Sequence, residues 1–389
     1  MNATVKAHGL DGGLVTPDWT PLTLAELGPL LEQFPALGAP VEILFASPRP
    51  LSAAGLVAAA NGRVFVKRHH RAVRDREGLL EEHRFLAYLF GAGAPVPRVL
   101  ENARGETAIE VGDWTYEVHE PAKGVDVYEE AISWTPFRCP GHARAAGRVL
   151  ARLHGLAEGF DAPPRKVQPV VASFTIFAAS DPAAAMARYI AARPALADHD
   201  GVRACAEIAL ELLAPFHAEL APHLPALKPL WTHNDLHASN VFFSDAGEQA
   251  RATAIIDFGL ADRTNAVHDL AHAIERNVVE WLALVENPSR PEAVAIHFDH
   301  SQALLEGYES VRPLARAEAA ALAPMTALCH AEFALSEADY FLGVLHAEKS
   351  AAMAYDGWLV GHARWFLGAG ARLADALRES AESRSRTAP

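Results

Sequence analysis

The chain has 389 residues and a formal net charge of −14, and half of its residues are hydrophobic, which is sufficient for two lobes and a sizeable core. The acidic balance argues against a general nucleic-acid-binding protein and favours cationic or metal-bound partners. No apolar run is long enough to span a bilayer, so we expect no membrane contact. The three cysteines are widely separated and indicate neither a disulfide framework nor a Cys-x-x-Cys metal site, which favours a cytoplasmic location. We expect a monomer or a homodimer.

The first part of the chain predicts a small lobe built around a sheet. Residues 1–16 lack the basic start and apolar core of a signal peptide. Helical spacing of apolar residues begins after Thr23, a suitable N-cap, and Asn61-Gly62 is a strong hairpin signal. We predict helices over residues 22–34 and 79–89, and strands over 41–46, 56–60, 63–69, 107–111 and 114–119. The strands would form a five-stranded antiparallel sheet.

The rest of the chain predicts a larger, mainly helical lobe. Glu120-Pro-Ala-Lys-Gly124 breaks the strand pattern, and we interpret it as a hinge beside an inter-lobe cleft of the kind that binds small molecules. His154 lies on a predicted core helix over residues 143–156 and is expected to pack rather than to catalyse, while residues 180–220 predict two helices. The predicted boundaries are an N-terminal lobe with a leading helix over 1–122, a helical C-terminal lobe over 123–378 and a flexible tail over 379–389.

The most informative stretch is His233-Asn-Asp-Leu-His-Ala-Ser-Asn-Val-Phe-Phe243, followed by Ile255-Ile-Asp-Phe-Gly259. Two short strands here predict a hairpin that brings Asn240, just before its first strand, close to Asp257, just after its second. Mg²⁺ prefers hard oxygen ligands, which Asn240 and Asp257 would supply. Phosphoryl transfer also needs a carboxylate that orients the attacking hydroxyl, and Asp235 can supply it. We therefore predict a phosphoryl-transfer centre that uses Mg²⁺.

This block resembles the catalytic loop of the aminoglycoside phosphotransferase, choline kinase and homoserine kinase superfamily, which is related to the protein kinases. The matched pattern is specific, and the resemblance covers roughly residues 40–345, although it is strong only at short islands. It implies an α+β, protein-kinase-like two-lobed fold, with a small N-lobe of a five-stranded antiparallel sheet plus a helix and a large helical C-lobe. It also implies an ATP-dependent enzyme that phosphorylates a hydroxyl of an amino alcohol, a homoserine-like metabolite or an aminoglycoside.

The resemblance implies roles for residues of the smaller lobe. Lys67 would contact the α- and β-phosphates and would be held there by an ion pair with Glu82 or, alternatively, with Glu81. Backbone groups of Glu120 and Ala122 would meet the adenine edge. The loop over residues 47–55 would lie above the phosphates, although it lacks a G-x-G-x-x-G pattern.

Around the catalytic block, the resemblance makes His233 a scaffold for the loop rather than a base, and Asp269 the aspartate that braces it. Asn234 stands where many protein kinases carry an arginine that answers an activation-loop phosphate, so that mode of regulation is not expected. His268 and His272 have the spacing of zinc ligands on a helix. They lack an intervening glutamate base and an evident third ligand, so the sequence does not favour zinc.

The acceptor would be a small molecule bound by residues near the end of the chain. Residues 330–342 resemble a late helix of homoserine kinase-like proteins that commonly carries arginines, but this sequence has Glu332 and Glu337 there. The acidic residues favour a cationic acceptor, although a solvated helix face explains them equally well. Glu337 and Tyr340 are the predicted acceptor-binding residues, because helical spacing puts them near one another and leaves Glu332 on a different face.

Two other functions share parts of the pattern. A protein Ser/Thr kinase of the bacterial stress-response type would carry a similar loop, but the segment between Asp257 and Asp269 is too short for a long activation segment. A pseudokinase would bind nucleotide or a partner without catalysis. The joint presence of Lys67, Asp235 and Asn240 with Asp257 argues against that alternative.

Overall fold

The computed structural model describes residues 6–387. The first five residues of the predicted N-terminal lobe and the last two of the predicted tail lie outside the described residues. The smaller lobe contains β1 (Ala7–His8), β2 (Leu14–Val15), α1 (Leu24–Leu31), β3 (Pro40–Ala46), β4 (Ala53–Ala59), β5 (Gly62–His70), α2 (Arg76–Gly91), β6 (Ile109–Val111) and β7 (Trp114–His119).

The larger lobe contains α3 (Pro140–Ala157), α4 (Pro182–Ala191), α5 (Pro194–Ala197), α6 (Asp200–Leu220), β8 (Pro229–Thr232), β9 (Val241–Phe243), β10 (Ala252–Ile255), β11 (Asp262–Asn265), α7 (Ala266–Val278), α8 (Trp281–Glu286), α9 (Phe298–Glu309), α10 (Arg316–Leu328), α11 (Ala331–Gly343), α12 (Glu348–Ala352), α13 (Gly361–Leu367) and α14 (Ala371–Thr387). A π-helical segment, Met353–Val360, joins α12 to α13.

The smaller lobe is an antiparallel sheet in the order β3-β4-β5-β7-β6, which confirms the predicted five-stranded sheet. The β4–β5 hairpin turns at Ala60 and Asn61, one residue earlier than the predicted Asn61-Gly62, since Ala59 pairs with Gly62 across it. Alternate residues of these strands are buried against α1. Helix α1 begins after Thr23, and the Thr23 hydroxyl accepts a hydrogen bond from the Glu26 amide at 3.3 Å. This small core holds the sheet that forms the roof of the inter-lobe cleft.

Helix α2 shares the core of the larger lobe, although it belongs to the smaller lobe in sequence. The Phe85 ring is fully buried, and its centroid lies 5.1 Å from that of Phe160, 5.4 Å from Trp231 and 5.9 Å from Phe258. The hydrophobic core of the larger lobe therefore includes α2, and the boundary after residue 122 stays a prediction.

Helices α3 and α9 pack with their backbones in direct contact in the larger lobe. A Cβ on Gly147 would lie 2.0 Å from the Leu304 carbonyl oxygen, and a Cβ on Gly307 would lie 2.1 Å from the Arg144 carbonyl oxygen. Only glycine permits this approach, because any side chain would push the helices apart. The contact places α3, which carries His154, against the centre of the lobe.

Two segments differ from the prediction. The two helices expected over residues 180–220 are three, because Pro194 starts the short α5 between α4 and α6. Residues 379–387, predicted as a tail, continue α14, which the ion pair between Arg378 and Glu219 ties to α6 at 2.7 Å. Among the described residues, no helix has both the length and the apolar character needed to cross a bilayer. All three cysteines are free, and the cytoplasmic location stays a prediction.

The α3–α9 contact generates a stability prediction. We expect Gly147→Ala to lower the free energy of unfolding by about 1–3 kcal/mol, because its methyl group would overlap the carbonyl of Leu304. Gly155→Ala is the matched control on the same helix. Its methyl group would meet nothing within 4 Å, so it should stabilise the helix by up to about 1 kcal/mol. Urea unfolding of both variants measures the difference, and equal stabilities would contradict the close helix contact.

Candidate active site

A fully buried carboxylate on α7 fixes the loop that follows β8. Oδ2 of Asp269 accepts the His233 amide and Oδ1 accepts the Asn234 amide, each at 2.8 Å. Nε2 of His154 donates to Oδ2 at 3.0 Å. Burial opposes ionisation of Asp269, but the hydrogen bond from His154 and the loop amides outweigh it and lower the pKa of the carboxyl. The structure thus brings His233, Asp269 and the packed His154 together in one hydrogen-bonded brace.

His233 connects this loop to the Asp-Phe-Gly segment. Its Nδ1 accepts the Asp235 amide at 3.1 Å, and its Nε2 donates to the Ile256 carbonyl at 2.9 Å. The ring packs edge-on against Phe258 with centroids 4.6 Å apart. Asn234 has a φ of 61°, the left-handed conformation that asparagine tolerates. Both ring nitrogens of His233 are occupied, so its place in the structure is that of a scaffold.

Asp235 lies beneath an arginine that the sequence reasoning missed. Arg276 forms an ion pair with Oδ1 of Asp235, and both side chains are buried. Burial raises the pKa of Asp235 to about 6, against the opposing charge of Arg276. Arg276 stands two helical turns after Asp269, so the 3.6-residue period of α7 was the available signal. Above this pKa, Asp235 is a carboxylate that can accept a hydrogen bond from a hydroxyl.

Asn240 and Asp257 meet because the β9–β10 hairpin closes as the sequence predicts. Val241 pairs with Ile255, and the Ile256 amide donates to the Asn240 carbonyl at 3.0 Å. Asn240 forms its hydrogen bonds through Nδ2, including one to the Asp235 carbonyl at 2.9 Å, which leaves its Oδ1 available. The side chain of Asp257 is 37% exposed in the cleft. These two oxygen donors fit the ligand preference of Mg²⁺.

Lys67 reaches the cleft but does not pair with either glutamate of α2. Its Nζ lies 2.9 Å from Oδ1 of Asp257 and 3.8 Å from Oε1 of Glu117. Glu82 and Glu81 instead lie 3.6 Å and 3.7 Å from the guanidinium of Arg165. The predicted Lys67–Glu82 pair and its Glu81 alternative are therefore wrong for this structure.

The arrangement of strands explains the difference. Lys67 on β5 stands directly opposite Glu117 on β7, whereas Arg165, from the segment after α3, already neutralises both glutamates. Burial opposes the charge on Lys67, but the carboxylates of Asp257 and Glu117 outweigh it and raise the pKa of the ammonium group. The surrounding protein likewise disfavours ionisation of Asp257, but Lys67 holds the pKa of that carboxyl well below its usual value.

Glu117 is also the centre of a histidine group that the sequence reasoning missed. Its carboxylate accepts hydrogen bonds from Nε2 of His69 at 3.0 Å, His83 at 2.9 Å and His119 at 2.7 Å. Burial would raise the pKa of Glu117, but these partners, with His119 foremost, hold it well below the usual value. The two-residue spacing of Lys67 with His69, and of Glu117 with His119, was the signal that one face of each strand turns toward the cleft.

A cleft of about 390 Å³ opens between the lobes, and Lys67, Glu82, Glu120 and Ala122 line it. The Glu120 amide donates to the Arg98 carbonyl at 2.9 Å. The Glu120 carbonyl and the Ala122 amide form no hydrogen bond within the described part of the chain, which leaves one acceptor and one donor on the hinge. This pair of backbone groups suits the edge of a nucleobase.

A second pocket of about 120 Å³ lies against the larger lobe, and Asp235, Arg276, Phe333 and Glu337 line it. Both cavities are lined by Lys67, Asn240, Asp257 and Arg49. Arg49 comes from the loop after β3, where its Nη1 donates to the Ser133 hydroxyl at 3.1 Å. The sequence carried no periodic signal for Arg49, because it lies in an irregular proline-rich loop.

The late helix α11 presents one of its predicted residues to this pocket. Glu337 lines the pocket, and burial raises the pKa of its carboxyl to about 8. Tyr340 does not line the pocket, because its hydroxyl donates to Asp18 at 2.9 Å in a separate contact. Glu332 faces away as predicted, and its carboxylate accepts the backbone amides of Thr175 and Ile176. The structure therefore separates Glu337 from Tyr340.

Comparisons with known proteins agree on one family. Residues 55–314 match the model of the phosphotransferase enzyme family. The homoserine kinase of Gluconobacter oxydans (strain 621H) is 30% identical over 187 residues, which is 45% of this chain and 46% of that protein. The match thus spans less than half of this relative's length.

Solved structures resemble most of the chain at low sequence identity. The microcompartment-associated aminopropanol kinase is 16% identical with a TM-score of 0.55, over 90% of this chain and 99% of that one. Amicoumacin kinase in complex with AMP-PNP, Ca²⁺ and Ami is 15% identical with a TM-score of 0.51, over 84% of this chain and 92% of that one. These likenesses confirm the predicted kinase-like two-lobed fold.

Proposed function

Because the chain belongs to the phosphotransferase enzyme family, we propose that it transfers the terminal phosphoryl group of ATP to a hydroxyl of a small molecule. The observation that carries the proposal is that the inter-lobe cleft and the smaller pocket share lining residues. Lys67, Asn240 and Asp257 line both of them, and Asp235 lines the smaller one. Phosphoryl transfer depends on positioning and electrostatic stabilisation, and this junction brings the required charges together.

The larger cavity is the proposed nucleotide site. The Glu120 carbonyl and the Ala122 amide would bind the adenine edge, and Lys67 would bind the phosphates. The raised pKa of Lys67 supports this role, because the side chain stays cationic at any physiological pH. Asn240 and Asp257 would hold Mg²⁺, which neutralises charge on the phosphates when bound.

The smaller cavity is the proposed acceptor site, with Asp235 as the group that orients the hydroxyl and takes its proton. A volume of about 120 Å³ suits a small metabolite better than an aminoglycoside or a protein side chain with its backbone. The segments around His8 and Arg49 also line this cavity, so it is covered on the side of the smaller lobe. Size and cover favour an amino alcohol or a homoserine-like acceptor over the protein-kinase alternative.

Buried polar atoms without hydrogen-bond partners in the smaller cavity refine the acceptor. Oε2 of Glu337 and both Nε and Nη2 of Arg276 have no hydrogen-bond partner among the described residues. An acceptor ammonium group would pair with Glu337, and an acceptor carboxylate would pair with Arg276. Homoserine kinase-like proteins commonly carry arginines on the helix that corresponds to α11, where this chain has glutamates. Arg276 on α7 would supply the missing positive charge, so a homoserine-like acceptor is compatible with this cavity.

The first experiment is an ATP-consumption screen over amino alcohols, amino acids, sugars and aminoglycosides. We expect turnover with a small hydroxyl compound that carries an amine, whether or not it also carries a carboxylate. Labelling of a cell lysate with radioactive ATP tests the alternative in parallel. Labelled proteins in place of labelled metabolites would support the protein-kinase function and contradict this proposal.

Asp235→Asn should lower kcat by roughly 10²- to 10⁴-fold while ATP binding persists, because the variant loses the proton acceptor. In the parent, kcat/KM should fall as pH drops below about 6, since the raised pKa leaves Asp235 protonated there. Asp200→Asn, at a side chain 96% exposed, is the control and should behave like the parent. A kcat for Asp235→Asn within about threefold of the parent would remove Asp235 from this role.

Asp257→Ala should weaken Mg²⁺-dependent ATP binding far more than it weakens the fold, because Lys67 retains Glu117 as a neighbouring carboxylate. Calorimetric titration with ATP, with and without Mg²⁺, measures the effect. Asp161→Ala removes a carboxylate that is 96% exposed and should leave both titrations unchanged. Equal affinity and equal Mg²⁺ dependence in Asp257→Ala and the parent would contradict the proposed metal ligand.

Glu337→Gln should raise KM for an amine-bearing acceptor by about tenfold, because a buried ion pair exceeds the ~0–1 kcal/mol of an exposed one, and should leave KM for ATP unchanged. In the parent, KM for this acceptor should fall as pH rises toward 8, since Glu337 must lose its proton to pair with a cation. The variant should lack that dependence. A true acceptor that carries no amine, or a variant with the parent's KM and pH profile, would contradict the role.

A further inference from the structure

A group of buried side chains lies behind the active site and takes no part in the proposed reaction. The group, called the buried cluster below, consists of His272 and Glu275 on α7, Cys329 and His330 at the junction of α10 and α11, and His362 on α13. Every member is at most 3% exposed. Polar and ionisable side chains are rarely buried this deeply unless they are paired or bind a metal.

The buried cluster contains polar atoms without protein partners. Both ring nitrogens of His272, both ring nitrogens of His330 and Oε2 of Glu275 form no hydrogen bond with any described residue. A buried donor or acceptor left in this state destabilises the fold, because it has lost its hydrogen bonds to water. Their concentration at one place indicates a bound group that satisfies several of them at once.

Three ligand atoms converge within the cluster. A ring nitrogen of His272, a carboxylate oxygen of Glu275 and the Sγ of Cys329 all lie within 4.8 Å of one another. His272 and Glu275 are three residues apart on α7, so they project from the same face of the helix. We propose that His272, Glu275 and Cys329 bind a structural zinc ion.

The donor set selects the ion. Mg²⁺ takes oxygen ligands, whereas a thiolate, an imidazole and a carboxylate together suit tetrahedral Zn²⁺. The thiol of Cys329 would lose its proton to solvent on binding, and its negative charge plus that of Glu275 would balance the two positive charges of zinc. His330, which follows Cys329, has both ring nitrogens unpartnered but does not belong to the three converging residues, so the fourth ligand would be a water molecule.

An outer shell of the kind that metal ligands require is already present. Nε2 of His362 donates to Oε1 of Glu275 at 3.2 Å, which orients the carboxylate and leaves Oε2 free. The His362 ring in turn stacks on Trp281 with centroids 4.9 Å apart. Such outer partners fix ligand geometry and tune affinity.

The site would join α7 to the end of α10. Because α7 also carries Asp269 and Arg276, zinc would hold in place the helix that braces the catalytic loop and contacts Asp235. The pair His268–His272, which the sequence did not favour as a zinc site, is not the ligand pair. Nδ1 of His268 lies 3.2 Å from Oδ1 of Asn234, and the partners of His272 come from Glu275 and the distant Cys329.

Metal analysis of the untagged, full-length protein tests the proposal. After dialysis against Mg²⁺-containing buffer without a chelator, we expect one zinc ion per chain by plasma mass spectrometry. Cys329→Ser should lose it, whereas Cys205→Ser, at a partly exposed cysteine outside the cluster, should retain it. His297, Asp299 and His300 form another set of potential ligands outside the buried cluster, and His297→Ala, the control for that set, should also retain zinc.

Two further measurements address the ligands directly. Protein in which cobalt replaces zinc should show a thiolate-to-metal absorption band that is absent from Cys329→Ser. His362→Phe, which removes the outer partner, should weaken zinc affinity by about 10- to 100-fold. Neither measurement uses kinase activity. A result against the zinc site can therefore be distinguished from a result against the proposed function.

The outcome that overturns the proposal is parent protein that takes up no zinc even after incubation with zinc sulfate. Zinc that persists in Cys329→Ser, or that disappears in His297→Ala, would overturn it equally. If Cys329→Ser does not fold, the metal content and cobalt spectrum of the parent still decide, because a site without thiolate gives no thiolate band.

Discussion

The geometry of the active site depends on the carboxylate of Asp269. Two consecutive backbone amides point into the protein at the end of β8, and each needs an acceptor that water cannot supply there. Asp269 satisfies both, while His154 binds the same carboxylate from α3. The loop after β8 is thereby held in place by α7 and α3. Asp235, the residue that follows Asn234, is held in place with it. The position of Asp235 in the smaller cavity follows from that attachment.

Opposed charges organise the rest of the cleft. Lys67 lies between Asp257 and Glu117, and Glu117 is held in turn by three histidines. A buried carboxylate is tolerated only when its lone pairs accept hydrogen bonds, and the carboxylate of Glu117 accepts them from all three histidines. The nucleotide phosphates would therefore meet a cation whose supporting shell is formed in advance, which reduces the reorganisation that binding requires.

The local parts of this design could be predicted from the sequence, and the long-range parts could not. The β9–β10 hairpin needs only strand and turn residues over a short span, so the meeting of Asn240 with Asp257 was predictable. The partner of Glu82 comes from Arg165, far along the chain, and no spacing rule connects the two. Tyr340 shows the same limit, because its helix position was right but Asp18, at the other end of the sequence, decides where its hydroxyl lies.

The attachment of α2 to the larger lobe has a consequence for regulation. Protein kinases need an ion pair between the lysine and a glutamate on the corresponding helix, and the position of that helix controls their activity. Here the glutamate contacts Arg165 and not Lys67, and an outward swing would uncover the Phe85 ring and leave the buried Arg165 without two carboxylates. Exposing an aromatic ring of this size alone costs roughly 1.5–3 kcal/mol. We expect a catalyst with no resting form of this kind, whose output follows the supply of nucleotide and acceptor.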